Sequence, residues 1–179
     1  HGDYLGDHGL IGKGQFFEAS CHVPLIARLP GGPQDCSNSD LVALADVTPT
    51  MLSIAGADLP DYMDFMPLPE LSLPRAGRDY LCGMMGGGWM CFDGRWKLCK
   101  YSTGEHMLFD VLEDPTEERN MLNDGACGDT YLRLDRALTE EVMRATMASH
   151  HDKIVYDNDL SGDIDFGRSG WQRPYPKPL

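Results

Sequence analysis

Three side chains able to do chemistry, His1, His8 and Lys13, fall within the first thirteen residues, separated by Gly2, Gly6, Gly9 and Gly12. A neutral imidazole can ligate a metal. A lysine ammonium is a compact point charge suited to an anionic oxygen. Glycine lets the backbone approach a ligand closely and adopt dihedrals closed to other residues. By residue type alone the segment could hold a small anion, or it could be an ordinary solvated loop. His22, just before an apolar run, reads as structural.

The elements that must position this loop follow along the chain. Val23 to Leu29 is a short apolar run closed by Pro30-Gly31-Gly32-Pro33, which predicts a buried strand of a parallel or mixed sheet. Leu41 to Ala55 reads as a helix, with Asp46 as N-cap, Pro49 in the first turn and Gly56 at the end. Residues 57–78 hold Pro60, Pro67, Pro69 and Pro74 and predict a surface connection and a subdomain boundary. Tyr80 to Met84, Trp89 to Phe92, Arg95 to Tyr101 and His106 to Phe109 predict four strands of an antiparallel sheet. Asp93-Gly94 and Ser102-Thr103-Gly104 serve as turns. In Asp129 to Ser149, apolar residues at Tyr131, Leu134, Leu138, Val142 and Ala145 predict a helix with one buried stripe. The expected division is therefore 1–78, 79–151 and an irregular tail over 152–179.

Composition narrows the partners. A net charge of -13 argues against a nucleic-acid surface, which needs clustered Lys and Arg. It leaves room for a small anionic substrate in a locally cationic pocket. There is no run of about 18 apolar residues to span a membrane. Six cysteines, at 21, 36, 82, 91, 99 and 127, form no CxxC pair, which points to buried thiols before disulfides. The chain has no Asn-x-Ser/Thr site, which slightly favours the cytoplasm over a periplasmic or secreted setting. Compartment and oligomeric state are both left open.

The order of the motifs says more than any one of them. His1-Gly2, Gly6-Asp7-His8-Gly9, Lys13, Val23-Pro24-Leu25-Ile26 and Pro30-Gly31 follow one another in the order and spacing of the segment after the last metal-binding aspartate of type I sulfatases. Asp46 with Pro49-Thr50 resembles the Asp-x-x-Pro-Thr helix of that family. Trp96-Lys97-Leu98 resembles its Trp-Lys-Leu strand. Leu108-Phe109-Asp110, Asp114-Pro115, Glu117 or Glu118, and Asn120 resemble its later signature. Over residues 1–125 the chain thus resembles the type I sulfatases of the alkaline-phosphatase superfamily.

The resemblance implies an α/β fold: the carboxy-terminal portion of a mixed-sheet domain, plus a small four-stranded antiparallel sheet with a packed helix. It implies a sulfuric ester hydrolase that uses a divalent metal, calcium first and manganese as alternative, and a formylglycine nucleophile. By position, His1 falls beside the metal, and Lys13 on the sulfate group. His8 joins Lys13 as a catalytic and substrate-binding candidate, its alternative being a histidine bonded to loop backbone. The implied partners are a small sulfate ester and the amino-terminal part of the same protein. The paired metal aspartates of the family are not found. Cys91-Phe92-Asp93-Gly94-Arg95 only superficially resembles the formylglycine signature, because Asp93 stands where Pro or Ala is required. The alternatives are a phosphonate monoester or phosphodiester hydrolase of the same superfamily, and a non-catalytic interaction module. The chain by itself is expected to be inactive. Turnover of an aryl sulfate with calcium, above a Lys13→Ala control, would overturn that expectation.

Overall fold

The computed structural model describes residues 1–29, 31–32, 34–60, 63–69 and 77–153. Expectations for Pro30, Pro33, Pro74 and residues 154–179 lie outside them. Three helices, α1 (Glu18–Cys21), α2 (Val47–Ile54) and α3 (Gly128–Lys153), accompany four strands, β1 (Leu81–Met85), β2 (Gly88–Phe92), β3 (Trp96–Tyr101) and β4 (His106–Asp110). No helix among the described residues is long and apolar enough to cross a membrane. The residues group into two compact units, one of His1–Val42 with Ala76–Glu141 and one of Ala43–Arg75 with the residues from Val142 on.

The first unit is built on the expected sheet, in the order β1-β2-β3-β4 and antiparallel throughout. Each strand begins and ends within one residue of its sequence expectation. Gly86 and Gly87, both at positive φ, close the first hairpin between Met85 and Gly88. The Asp93-Gly94 hairpin is wider than a two-residue turn. Phe92 pairs with Lys97, and the Asp93 carboxylate caps the loop by accepting from Arg95 N (2.9 Å) and Trp96 N (2.6 Å).

Both faces of the sheet are covered, and the pleat sorts the residues between them. One face carries Cys82, Cys91, Leu98, Lys100 and Leu108. There Lys100 reaches Asp135 on α3 at 2.6 Å. Asp93, in the β2–β3 turn, pairs with Arg133 of the same helix at 2.6 Å. Leu134 and Leu138 of the predicted stripe are buried. The other face carries Met90, Phe92, Lys97, Cys99, Met107 and Phe109, and the amino-terminal segment lies on it. Phe16 packs with Met90 and Cys99, and Tyr4 and Phe17 pack with Phe109. Each such aromatic burial contributes about 1.5–3 kcal/mol.

Lys97 is the anomaly of that apolar face. It is 1% exposed and its ammonium donates to Phe16 O (2.9 Å) and to Glu18 Oε1. Glu117 Oε1 lies 2.8 Å away as an ion pair without hydrogen-bond geometry. Glu117 Oε2 accepts from Glu18 N at 2.6 Å, closing the cluster. Burial would lower the Lys97 pKa, but Glu117 and Glu18 outweigh it, and the ammonium is held above its ordinary value.

In the second unit α2 starts at Val47, directly after the expected N-cap residue Asp46, whose side chain does not cap it. Asp46 turns its carboxylate back to Ala43 N (2.8 Å) and across to Met66 N (3.3 Å), so residues 44–46 form a 3-10 turn instead of a first α-turn. Thr50 Oγ1 donates to Asp46 O (2.6 Å) and accepts from Leu68 N (2.8 Å). The Asp-x-x-Pro-Thr motif therefore ties the 66–68 segment to the helix.

The predicted buried strand at Val23–Leu29 is not formed. These residues have no regular structure, and Ile26 is 93% exposed. A strand of a parallel or mixed sheet needs neighbours on both edges and cover on both faces, and none pairs with it among the described residues.

Replacing Lys97 by Met should be severe, because it removes the cation and leaves Glu18 and Glu117 facing one another in a dry site. The expected loss is about 3–5 kcal/mol of unfolding free energy in urea titrations of the chain. A loss below about 1 kcal/mol would show that the cluster is not the anchor.

Candidate functional site

The glycine-rich loop folds back on itself through backbone bonds. Gly2 N donates to Ser20 O, Tyr4 N to Gly12 O, and Gly6 N to Leu10 O, each at 2.9 Å. Asp3 Oδ1 accepts from Leu5 N (3.0 Å) and Gly12 N (3.2 Å). The Tyr4 hydroxyl donates to Gln15 O (3.0 Å) and accepts from Gln15 N (2.8 Å). These contacts bring residues 3 and 4 against Gly12, next to Lys13, while Gly2, next to His1, is tied to Ser20. Glycine is required at position 2, where an added Cβ would stand 2.1 Å from Ala19 O.

His1 and Lys13 are exposed, and neither makes a hydrogen bond or ion pair among the described residues. His8 makes no side-chain hydrogen bond to the loop backbone among the described residues, so the backbone-bonded alternative is not what holds it. It sits at φ 52, and its ring stacks on Phe17 with 3.8 Å between centroids and 11° between planes. That stacking fixes the imidazole by its face and leaves its nitrogens unbonded among the described residues. His22 Nδ1 meets Glu18 Oε2 at 2.9 Å on the surface, a structural contact.

Among the described residues no three His, Cys, Asp or Glu side chains converge as a metal site. The set present here does not by itself fit a cation, and His1 could supply a single donor. Cys91 is fully buried in β2. An open cleft of ≈ 390 Å³ is lined by Ser39, Asp40, Arg78, Tyr80, Asp93 and Arg133 among others. It includes none of the three loop residues, and its mixed charges do not favour an anion.

The sequence did not single out Asp3, Tyr4, Glu18 or Lys97 as site-builders. Only Lys97 left a signal, a lysine placed among apolar residues on one face of a strand. The later motifs are structural too. Arg95 forks onto Asp110, with Nε 3.0 Å from Oδ1 and the terminal nitrogen 2.6 Å from Oδ2. Asn120 Oδ1 accepts from Leu108 N (3.0 Å) and its Nδ2 donates to His106 O (3.2 Å). Of the two signature glutamates, Glu117 is buried in the Lys97 cluster and Glu118 is exposed.

Residues 6–77 match the family described as N-sulphoglucosamine sulphohydrolase, C-terminal. The chain belongs to the sulfatase family. Arylsulfatase K of Canis lupus familiaris is 31% identical over 139 residues, covering 68% of this chain and 26% of the relative. The chain thus spans about a quarter of the length of the curated relatives it matches. A solved structure in complex with its substrate D-glucosamine-2-N,6-O-disulfate superimposes with a TM-score of 0.71 at 22% identity, covering 86% of this chain and 34% of that one. The phosphonate monoester hydrolase of Agrobacterium radiobacter gives a TM-score of 0.61 at 26% identity, covering 80% and 33%. The sulfatase fold class expected from the sequence is therefore present: its carboxy-terminal α/β portion with the four-stranded sheet.

Two carboxylates in this unit set its acid limit. The Arg95 fork holds Asp110 below the usual carboxylate range. Burial would raise Asp93, but the turn N–H groups and Arg133 outweigh it and hold it low as well. A depressed folded pKa contributes stability that is present above the unfolded value near 3.9 and is lost as pH falls through the folded value. Thermal melts from pH 7 down should therefore stay level to about pH 4 and decline below it. Asp110→Asn should lower the neutral plateau and flatten that decline. An unchanged acid slope in the variant would remove Asp110 from the account.

Proposed function

We propose that this chain is the carboxy-terminal part of a sulfate-ester hydrolase, with Lys13 as the residue that receives the sulfate group. The observation that carries this reading is the contrast within the loop: its backbone is tied at Gly2, Tyr4 and Gly12, while the Lys13 ammonium has no acidic partner among the described residues. Most lysines that serve structure here are matched by carboxylates, as Lys97 and Lys100 are. A fixed backbone carrying an unmatched cation is preorganised to bind an anion.

In the reaction Lys13 would donate to a sulfuryl oxygen of the bound ester, offsetting the charge that grows there as the ester oxygen departs. The stacked His8 would face the same substrate group. The divalent cation, calcium by resemblance, would add further charge neutralisation when bound, with His1 the single candidate donor in this chain. The formylglycine nucleophile belongs to an upstream segment on this reading. A sulfated sugar is the substrate class suggested by the relative that holds a glucosamine disulfate.

The likeness to a phosphonate monoester hydrolase favours a second reading, in which the same lysine meets a phosphonate oxygen. Parallel assays of the full-length protein on an aryl sulfate and an aryl phosphonate monoester separate the two by their kcat/KM ratio. On the leading reading, Lys13→Ala in the full-length protein should lower kcat/KM for the sulfate ester by about 10²–10³, or roughly 2–4 kcal/mol. Folding and metal content should be unchanged. A folded, metal-loaded variant within about twofold of the parent would refute the role of Lys13.

A further inference from the structure

Cys82 and Cys91 are directly opposed in the β1–β2 ladder. Met85 and Gly88 close the two-residue Gly86-Gly87 turn and so form a hydrogen-bonded pair. Hydrogen-bonded and non-hydrogen-bonded pairs alternate along an antiparallel ladder. Counting back from Met85–Gly88, the pairs Met84–Trp89, Gly83–Met90 and Cys82–Cys91 place the two cysteines at a non-hydrogen-bonded position. Cα atoms there lie about 4.5 Å apart with side chains close, inside the span a disulfide bridges. Directly opposed residues share a face, and the two thiols are within hydrogen-bonding contact. The partners differ in access. Cys91 is fully buried, whereas Cys82 is half-buried on β1, a strand at the edge of the sheet.

We propose that Cys82 and Cys91 are a thiol–disulfide couple, with Cys82 the attacking thiol and Cys91 the resolving one, that exchanges with small-molecule disulfides of the glutathione type. In the first step the Cys82 thiolate attacks one sulfur of the disulfide. A protein–glutathione bond forms, and one glutathione leaves as thiolate and takes up a proton. In the second step the Cys91 sulfur attacks the Cys82 sulfur and its proton passes to the departing glutathione thiolate. The Cys82–glutathione bond breaks and the second glutathione leaves. Two protein thiols are oxidised and one glutathione disulfide is reduced to two thiols. The neighbouring Cys82 and burial hold the Cys91 thiol well above its ordinary value, which disfavours it as the first attacker; in the second step its opposed position beside the Cys82 sulfur offsets its low thiolate fraction. The product ties edge strand β1 to the strand that carries the buried Met90 and Cys91.

Trypsin tests this directly, because Arg78 and Arg95 bound a peptide that contains these two cysteines and no others. The folded full chain is incubated with oxidised glutathione, alkylated without reduction, digested and weighed. The 79–95 peptide should be unalkylated and lighter by two hydrogens, and melting should shift up by about 5 °C or more. The Cys91→Ala variant should accumulate a glutathione adduct on Cys82. The Cys82→Ala variant should keep Cys91 unmodified. A fully alkylated 79–95 peptide, or disulfides formed through Cys21 or Cys36 instead, would overturn the proposal. So would Cys91 modified in the Cys82→Ala variant while that protein remains folded.

Discussion

The first unit depends on one buried cation. Lys97 stands on a sheet face otherwise made of Met90, Phe92, Cys99, Met107 and Phe109, where an isolated ammonium could not remain charged. It remains charged because two glutamates from distant points of the chain come to it, Glu18 from the amino-terminal segment and Glu117 from the loop after β4. Phe16 O accepts a hydrogen bond from the same ammonium. Each partner solves a problem for the others. Glu117 also receives the Glu18 N–H at the start of α1, a backbone donor that has no acceptor within the helix. The cluster therefore fixes the direction in which residues 16–18 leave the sheet, and through Phe16 and Phe17 it fixes where the glycine-rich loop begins. Replacement by an apolar set of equal volume could be as stable, but it would lose the directional bond to Phe16 O that sets the register of the segment.

The four strands and α3 were legible in the sequence because their signals are local. Alternation, Gly-rich or Asx turns and a 3–4 stripe act over a few residues, and neighbouring hairpins need no distant partner. Val23–Leu29 was misread for the complementary reason. Its apolar run describes a strand only if other strands flank it, and that condition cannot be read within seven residues. Asp46 fell between these cases. Its position before a helix was correct, but its carboxylate serves Ala43 and Met66 rather than the first turn of α2, a tertiary choice that capping rules cannot anticipate. The choice between Glu117 and Glu118 depended likewise on Lys97, twenty residues back in sequence and one ion pair away in space.

The candidate site divides in the same manner. His1, His8 and Lys13 could be found by residue type and order, whereas the residues that build their support could not. Asp3 reads as one more loop aspartate until its carboxylate is seen closing Leu5 and Gly12. Tyr4 reads as a core aromatic until its hydroxyl is seen bonded both ways to Gln15. His8 is a catalytic and substrate-binding candidate by order and a backbone-bonded ring by the alternative, and what holds it is stacking on Phe17. A ring fixed by its face keeps both edge nitrogens available, which a backbone hydrogen bond would not allow.

Charge sorting bears on how so acidic a chain would carry the proposed anion site. The excess carboxylates are not spread evenly against the cations. Lys97, Lys100, Arg95 and Arg133 each meet an acid at 2.8 Å or less, and they thereby lose most of their attraction for a further anion. Lys13 pairs with no carboxylate among the described residues, and Asp3 of the same loop is committed to two backbone N–H groups. The far field of the protein is negative and would slow the approach of an anionic ester, more so at low salt than at physiological ionic strength. At contact distance the near field of an unmatched ammonium prevails, since Coulomb attraction grows as distance falls while the distant charges are screened. What matters at this site is therefore not the net charge but which cations the fold leaves without a carboxylate.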